Sequence, residues 1–173
     1  DRLLEEAGGS SNATTSEDRT SYYVTLPSNF LELALWIEAD RLATMASGLS
    51  QEGLDNQREV VRNERRQRVE NVPYGMAEMH VREALYPDGH PYRSLVIGSH
   101  EDLQAATLEA TRAFFRRFYA PNNVSLVLAG NLPVGVRALV DRYFGGLARA
   151  PDVTLPVAPE VRLVDERRVE IRD

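Results

Sequence analysis

A carboxylate on the apolar line of a helix is the residue of this sequence best placed to do chemistry. From Ser50 to about Asn71 the pattern is helical, and Leu54, Gln57, Val61, Glu64 and Arg68 recur at alternating three- and four-residue steps. That spacing puts Glu64 on the inward face. Burying an unpaired charge costs several kcal/mol, so an inward glutamate must be protonated, ion-paired or bound to a metal. A salt bridge with Arg62, Arg65, Arg66 or Arg68 is the ordinary outcome, and a metal ligand is the functional one.

Other chemistries are narrowed by what the sequence contains. His80, His90 and His100 match no local ligand spacing, such as two histidines one turn apart, and each reads as structural. His80 shares a helix face with Glu83, and His90 shapes its loop between Gly89 and Pro91. Cysteine is absent, so a metal would be held by His, Asp or Glu. All 20 basic residues are arginine, which removes Schiff-base chemistry on lysine. No nucleophile elbow, phosphate loop or dinucleotide glycine fingerprint occurs. The arginine-rich stretch 62–68 is flanked by acids, and a net charge of -6 disfavours nucleic acid as a partner. No apolar run approaches the roughly 20 residues of a membrane-spanning helix.

The elements that must position these residues can be read from pattern and punctuation. Leu3, Leu4 and Ala7 before Gly8-Gly9 read as the tail of a helix stopped by glycines. Ser10 to Ser16 and Thr20 to Leu26 flank the polar turn Glu17-Asp18-Arg19 and predict a β-hairpin. The first of these strands carries small polar side chains that leave its backbone accessible, so its edge could pair with an extended peptide. Asn29 and Glu32 stand at capping-box spacing ahead of a helix ending near Gly48. Ser50 caps the next helix, which Pro73 stops, and Met76 to Leu85 forms a third. The stretch 86–92 is a loop with aromatic anchors. Ser99 and Thr107 read as further caps, the latter opening a helix to Tyr119 on which Phe114, Phe115 and Phe118 crowd one side.

Val124 to Gly130 predicts a buried central strand, Pro133 to Phe144 a helix, and 149–160 a Pro-rich linker leading to a last strand, Val161 to Arg172. Helices mixed with a hairpin and non-adjacent strands predict an α+β sandwich rather than a doubly wound parallel sheet.

Two segments, 8–16 continuing through Thr20-Ser21-Tyr22-Tyr23, and Arg58-Glu59-Val60-Val61-Arg62-Asn63-Glu64, together resemble the pitrilysin/insulinase family, which includes the mitochondrial processing peptidases and many bacterial zinc proteases. The likeness continues in order through Pro73-Tyr74-Gly75, His90-Pro91-Tyr92, Ile97-Gly98-Ser99, Phe114-Phe115, Tyr119-Ala120-Pro121-Asn122-Asn123 and Leu128-Ala129-Gly130-Asn131. It covers nearly the whole chain, and the bacterial branch fits best.

The resemblance implies a two-layer sandwich of a mostly antiparallel sheet with helices, and a zinc ion bound by an inverted His-x-x-Glu-His motif and by a downstream glutamate. That glutamate corresponds to Glu64. The motif itself is nowhere in the sequence, and family order places it before Asp1. The expectation is therefore an N-terminally truncated domain over 1–148, with 149–173 leading toward a second homologous domain or subunit. Zinc would polarise an attacking water in the intact protein, with the motif's glutamate as general base. These 173 residues alone would be inactive and bind zinc weakly at best.

The same resemblance makes Asn12, Ala13 and Thr14 the edge that captures peptide or unfolded protein as an extended strand. Many relatives carry a second glutamate where this sequence has Gln57, which can still orient a ligand by hydrogen bonding. The alternative is a non-catalytic peptide-binding or scaffolding partner subunit of the same family. Apolar surface uncovered by a missing helix would give these residues reason to self-associate. The bacterial branch carries the expectation of a periplasmic or secreted location.

Overall fold

The structure is a computed structural model that describes residues 2–171. In chain order its elements are α1 (Arg2–Glu6), β1 (Ser10–Thr15), β2 (Thr20–Thr25), a 3-10 turn (Ser28–Phe30), α2 (Leu31–Thr44), α3 (Gln51–Arg65), a π-helical turn (Arg66–Glu70), α4 (Ala77–Leu85), α5 (His100–Ala105), α6 (Leu108–Phe118), a second 3-10 turn (Pro121–Asn123) and α7 (Val136–Phe144). They fall into two compact units, described separately below. One comprises Asp1–Thr15, Arg19–Leu49 and Leu108–Thr154, and the other Ser16–Asp18, Ser50–Thr107 and Leu155–Asp173.

In the first unit, β1 and β2 pair antiparallel in the register Ser10↔Thr25 to Thr15↔Thr20, as the threonine- and tyrosine-rich stretches predict. Glycine is required where α1 gives way to β1: a Cβ on Gly9 would sit 2.8 Å from the Thr25 carbonyl oxygen, so the chains could not approach. Leu4 and Ala7 of this end are buried, as are Leu35 and Ala39 on α2 and Ala120 after α6. Leu35 retains only 1% of its surface and is the largest fully buried side chain among the described residues. α7 lies against α2, where Tyr143 donates its hydroxyl to Glu32 Oε2 at 2.7 Å. The capping box expected at Asn29 and Glu32 does not form. Asn29 lies inside the 3-10 turn and α2 starts from Phe30 without a side-chain cap.

The second unit is organised by α3 and α5. Each helix begins as its sequence predicts: Ser50 Oγ accepts from the Gly53 amide at 3.0 Å, and Ser99 Oγ from the Asp102 amide at 3.0 Å. Arginine side chains then supply the cross-connections that apolar residues make elsewhere. Arg58 donates to the carbonyls of Leu103 and Ala106 at 2.8 and 2.7 Å, satisfying oxygens that the end of α5 leaves without intrahelical partners.

Mixed helices and an antiparallel sheet are present, but among the described residues that sheet has two strands. Among the described residues, the strands expected at Val124 to Gly130 and Val161 to Arg172 are not formed. Residues 124–129 and 161–171 carry no ladder, and Val127 is 85% exposed rather than central. Arg172, the last residue of the second expected strand, lies outside the described residues. An apolar run becomes a strand only when a neighbouring edge takes its N–H and C=O groups, and among the described residues no strand pairs with these segments.

Candidate functional site

Glu64 is the penultimate residue of α3, two residues before the π-helical turn. Its side chain is 40% exposed and its Oε1 lies 2.8 Å from Arg68 Nη1, one turn along. The inward stripe expected from the sequence is therefore corrected within this unit. Gln57 is exposed and Glu64 half-buried, and Arg68 keeps 77% of its surface.

The covered face runs instead through Leu54, Arg58, Val61, Arg62 and Arg65. Its guanidinium groups stay hydrogen-bonded while their stems exclude water, which lets a charged stripe turn inward. Arginines at 58, 62 and 65, spaced by four and three, were the sequence signal for this face. Of the arginines that could give Glu64 an ion pair, it is Arg68, in the π-helical turn, that does so. A pair this exposed contributes little and is easily exchanged.

What holds the end of α3 is a network that sequence reasoning missed. Arg65 is buried, donating through Nη1 to the Gly98 carbonyl at 2.6 Å and through Nε to Glu70 Oε1 at 2.9 Å. His100, at the start of α5, reaches the same carboxylate, with Nε2 at 3.0 Å from Oε1. Arg62 adds contacts to His100, Gln104 and Glu59. The hydrogen bond from His100, and then that from Arg65, hold the Glu70 carboxyl below the usual carboxylate range.

The π-helical geometry is explicit in the Asn71 amide donating to the Arg66 carbonyl five residues back at 2.8 Å. Tyr74 follows with a φ of 60°, an uncommon conformation for a residue with a side chain. At Gly75 a Cβ would stand 2.0 Å from the Val69 carbonyl oxygen, so only glycine lets the chain fold back onto the π turn.

The other histidines make local contacts. His80 Nδ1 lies 3.3 Å from Glu83, and His90 accepts from the Tyr92 amide at 3.1 Å while stacking on Tyr86. The hairpin tip belongs to this same unit. Arg82 donates to Glu17 Oε1 at 2.5 Å and holds that carboxyl below its usual range, and Tyr92 donates to Asp18.

The first unit contains the candidate capture edge. All of β1 is exposed, Asn12, Ala13 and Thr14 with it, and the Ala13 amide donates to Asn12 Oδ1 at 2.8 Å. Behind the hairpin, the Tyr22 hydroxyl lies 3.2 Å from that of Tyr119, and the Arg41 guanidinium stands 4.3 Å above the Tyr22 ring. Burial, and then the Tyr119 hydroxyl, push the Tyr22 hydroxyl up, so it stays protonated. Glu64 and Gln57 thus share α3 in one unit, and Asn12 to Thr14 share a strand in the other.

Among the described residues no three His, Cys, Asp or Glu side chains gather as a metal site. Glu64 can contribute one carboxylate ligand, with Arg68 the group to be displaced. Among the described residues no helix is long and apolar enough to cross a membrane.

Comparison with known proteins places the chain in a family. The zinc protease PqqE of Helicobacter pylori is 29% identical over 157 residues, spanning 90% of this chain and 35% of that protein. An uncharacterised zinc protease of Mycobacterium tuberculosis is 31% identical over 159 residues, spanning 91% and 35%. A probable mitochondrial-processing peptidase β subunit of Schizosaccharomyces pombe is 26% identical, spanning 83% and 31%. The chain thus spans about a third of the length of these curated relatives.

The crystal structure of a protease from Helicobacter pylori superposes with a TM-score of 0.81 at 28% identity, over 91% of this chain and 38% of that one. The ferredoxin protease FusC, solved as an E83A mutant in complex with Arabidopsis ferredoxin, shares the fold at a TM-score of 0.60 and 23% identity, over 87% of this chain and 16% of that one. Residues 105–173 match the peptidase M16 inactive domain, and residues 1–97, more than half of the chain, match the insulinase description, so the chain belongs to the insulinase family, peptidase family M16.

Proposed function

We propose that these residues are part of a zinc-dependent endopeptidase, in which Glu64 supplies one metal ligand and β1 captures the substrate backbone. The observation that carries the reading is Glu64 itself: a half-buried carboxylate at the end of a helix braced on its other face, opposed by one exposed and displaceable arginine. Family membership and relatives named as zinc proteases support it. A catalytic zinc site needs three protein ligands, so the other two come from the His-x-x-Glu-His motif that this sequence does not contain. Zinc, when bound, supplies Lewis acidity toward a carbonyl and a nucleophilic water near neutral pH. The 173 residues by themselves are then inactive.

Peptide or unfolded protein is taken as an added strand along Asn12, Ala13 and Thr14, where backbone hydrogen bonds tolerate many side chains. Gln57, two turns before Glu64 and exposed, is free to orient that ligand once the site is complete. A second homologous domain or subunit closes the chamber, reached through the Pro-rich stretch after residue 148. Segments 124–129 and 161–171, which form no strand among the described residues, join the sheet in the longer protein and complete a two-layer sandwich.

The test is zinc content and fluorogenic-peptide cleavage of the full-length protein beside its Glu64→Gln variant. The parent should hold about one zinc and cleave, while the variant loses metal and at least about 100-fold in activity. A parent without metal or cleavage returns the alternative, a non-catalytic partner subunit.

A further inference from the structure

We propose that Tyr119 is a positioning residue for peptide capture, acting through Tyr22 to hold the β1 edge in place. The inference rests on the capture reading above. The six side chains of β1 are small and all exposed. Its position is inherited from β2 through the ladder, and within that ladder Tyr22 stands directly opposite Ala13, the middle of the capture segment. Whatever immobilises Tyr22 therefore sets where the Ala13 backbone lies.

Tyr22 is held from two directions. The Arg41 guanidinium lies 4.3 Å from its ring centroid, and Arg41 Nη1 is buried without a hydrogen-bond partner. That group forgoes a hydrogen bond while its neighbour Nη2 pairs with Glu38 and the cation faces the ring. The second hold is Tyr119, whose ring meets that of Tyr22 edge-on at 6.3 Å and 68°, with the two hydroxyls 3.2 Å apart. Tyr119 is itself braced at 4.8 Å and 75° by Phe115 of α6. A continuous line of contacts thus runs from α6 through Tyr119 and Tyr22 to Ala13. Between the two rings the hydroxyl pair supplies a directional link, which edge-on packing does not.

Tyr119→Phe and Tyr22→Phe remove a hydroxyl and keep the ring, so the fold and its apolar contacts are retained. In the full-length protein each variant should raise KM for an extended fluorogenic peptide about 3- to 10-fold, the scale of one lost hydrogen bond, with kcat within about twofold. The amides of Asn12, Ala13 and Thr14 should exchange with deuterium faster than in the wild type, and the double variant should be no worse than either single one. Wild-type cleavage with unchanged KM and unchanged β1 exchange in both phenylalanine variants would overturn the inference alone, even if thermal stability fell. A wild-type protein that neither binds nor cleaves extended peptide would instead sink the capture reading, and this inference with it.

Discussion

Glu64 and Arg65 are neighbours in sequence with opposite tasks. Arg65 is turned into its unit and committed to Gly98 and Glu70, whereas Glu64 is turned toward solvent with one weak partner. A chemical group available for a ligand must be loosely held while its backbone is firmly held, and this pair separates the two requirements. The firm half can be tested on its own. Arg65→Met would leave Glu70 and the Gly98 carbonyl without their guanidinium partner, at a cost of about 2–3 kcal/mol in unfolding free energy. Urea denaturation followed by circular dichroism reads that loss, and a change below about 0.5 kcal/mol would show the network to be incidental.

The helical elements also explain what a reading of the sequence could reach. The starts of α3 and α5 were legible at Ser50 and Ser99, because a cap is a local interaction between a hydroxyl and an amide a few residues on. The hairpin was legible for the same reason. The buried face of α3 was not: periodicity marks Gln57 and Glu64 as well as it marks Arg58 and Arg65, and the partners that decide between them, the Leu103, Ala106 and Gly98 carbonyls and Glu70, lie far along the chain or beyond the helix. The unformed strands failed as predictions because an apolar run fixes no partner.

The α3–α5 contact should also respond to acid. Glu70 titrates below its ordinary value of 4.5, so the unfolded state takes up its proton first. The contribution of Glu70 is complete above about 4.5 and is lost as pH falls through the lowered folded value. Amide exchange at the start of α5 should therefore quicken as pH drops below the ordinary glutamate range, relative to intrinsic rates, and Glu70→Gln should flatten that dependence. A flat profile in the wild type would show that His100 and Arg65 do not hold this carboxylate.

At the scale of the molecule, the two candidate components lie on different units: a ligand on α3 and a capture edge on β1. The zinc reading joins them in one function, and its central claim is that the Glu64 carboxylate exchanges Arg68 for a metal. The most direct measurement is a zinc-edge anomalous difference map from crystals of the full-length protein. The account predicts a peak about 2.0–2.2 Å from a Glu64 carboxylate oxygen, with Arg68 displaced. A zinc peak elsewhere, with Glu64 still paired to Arg68, would contradict it.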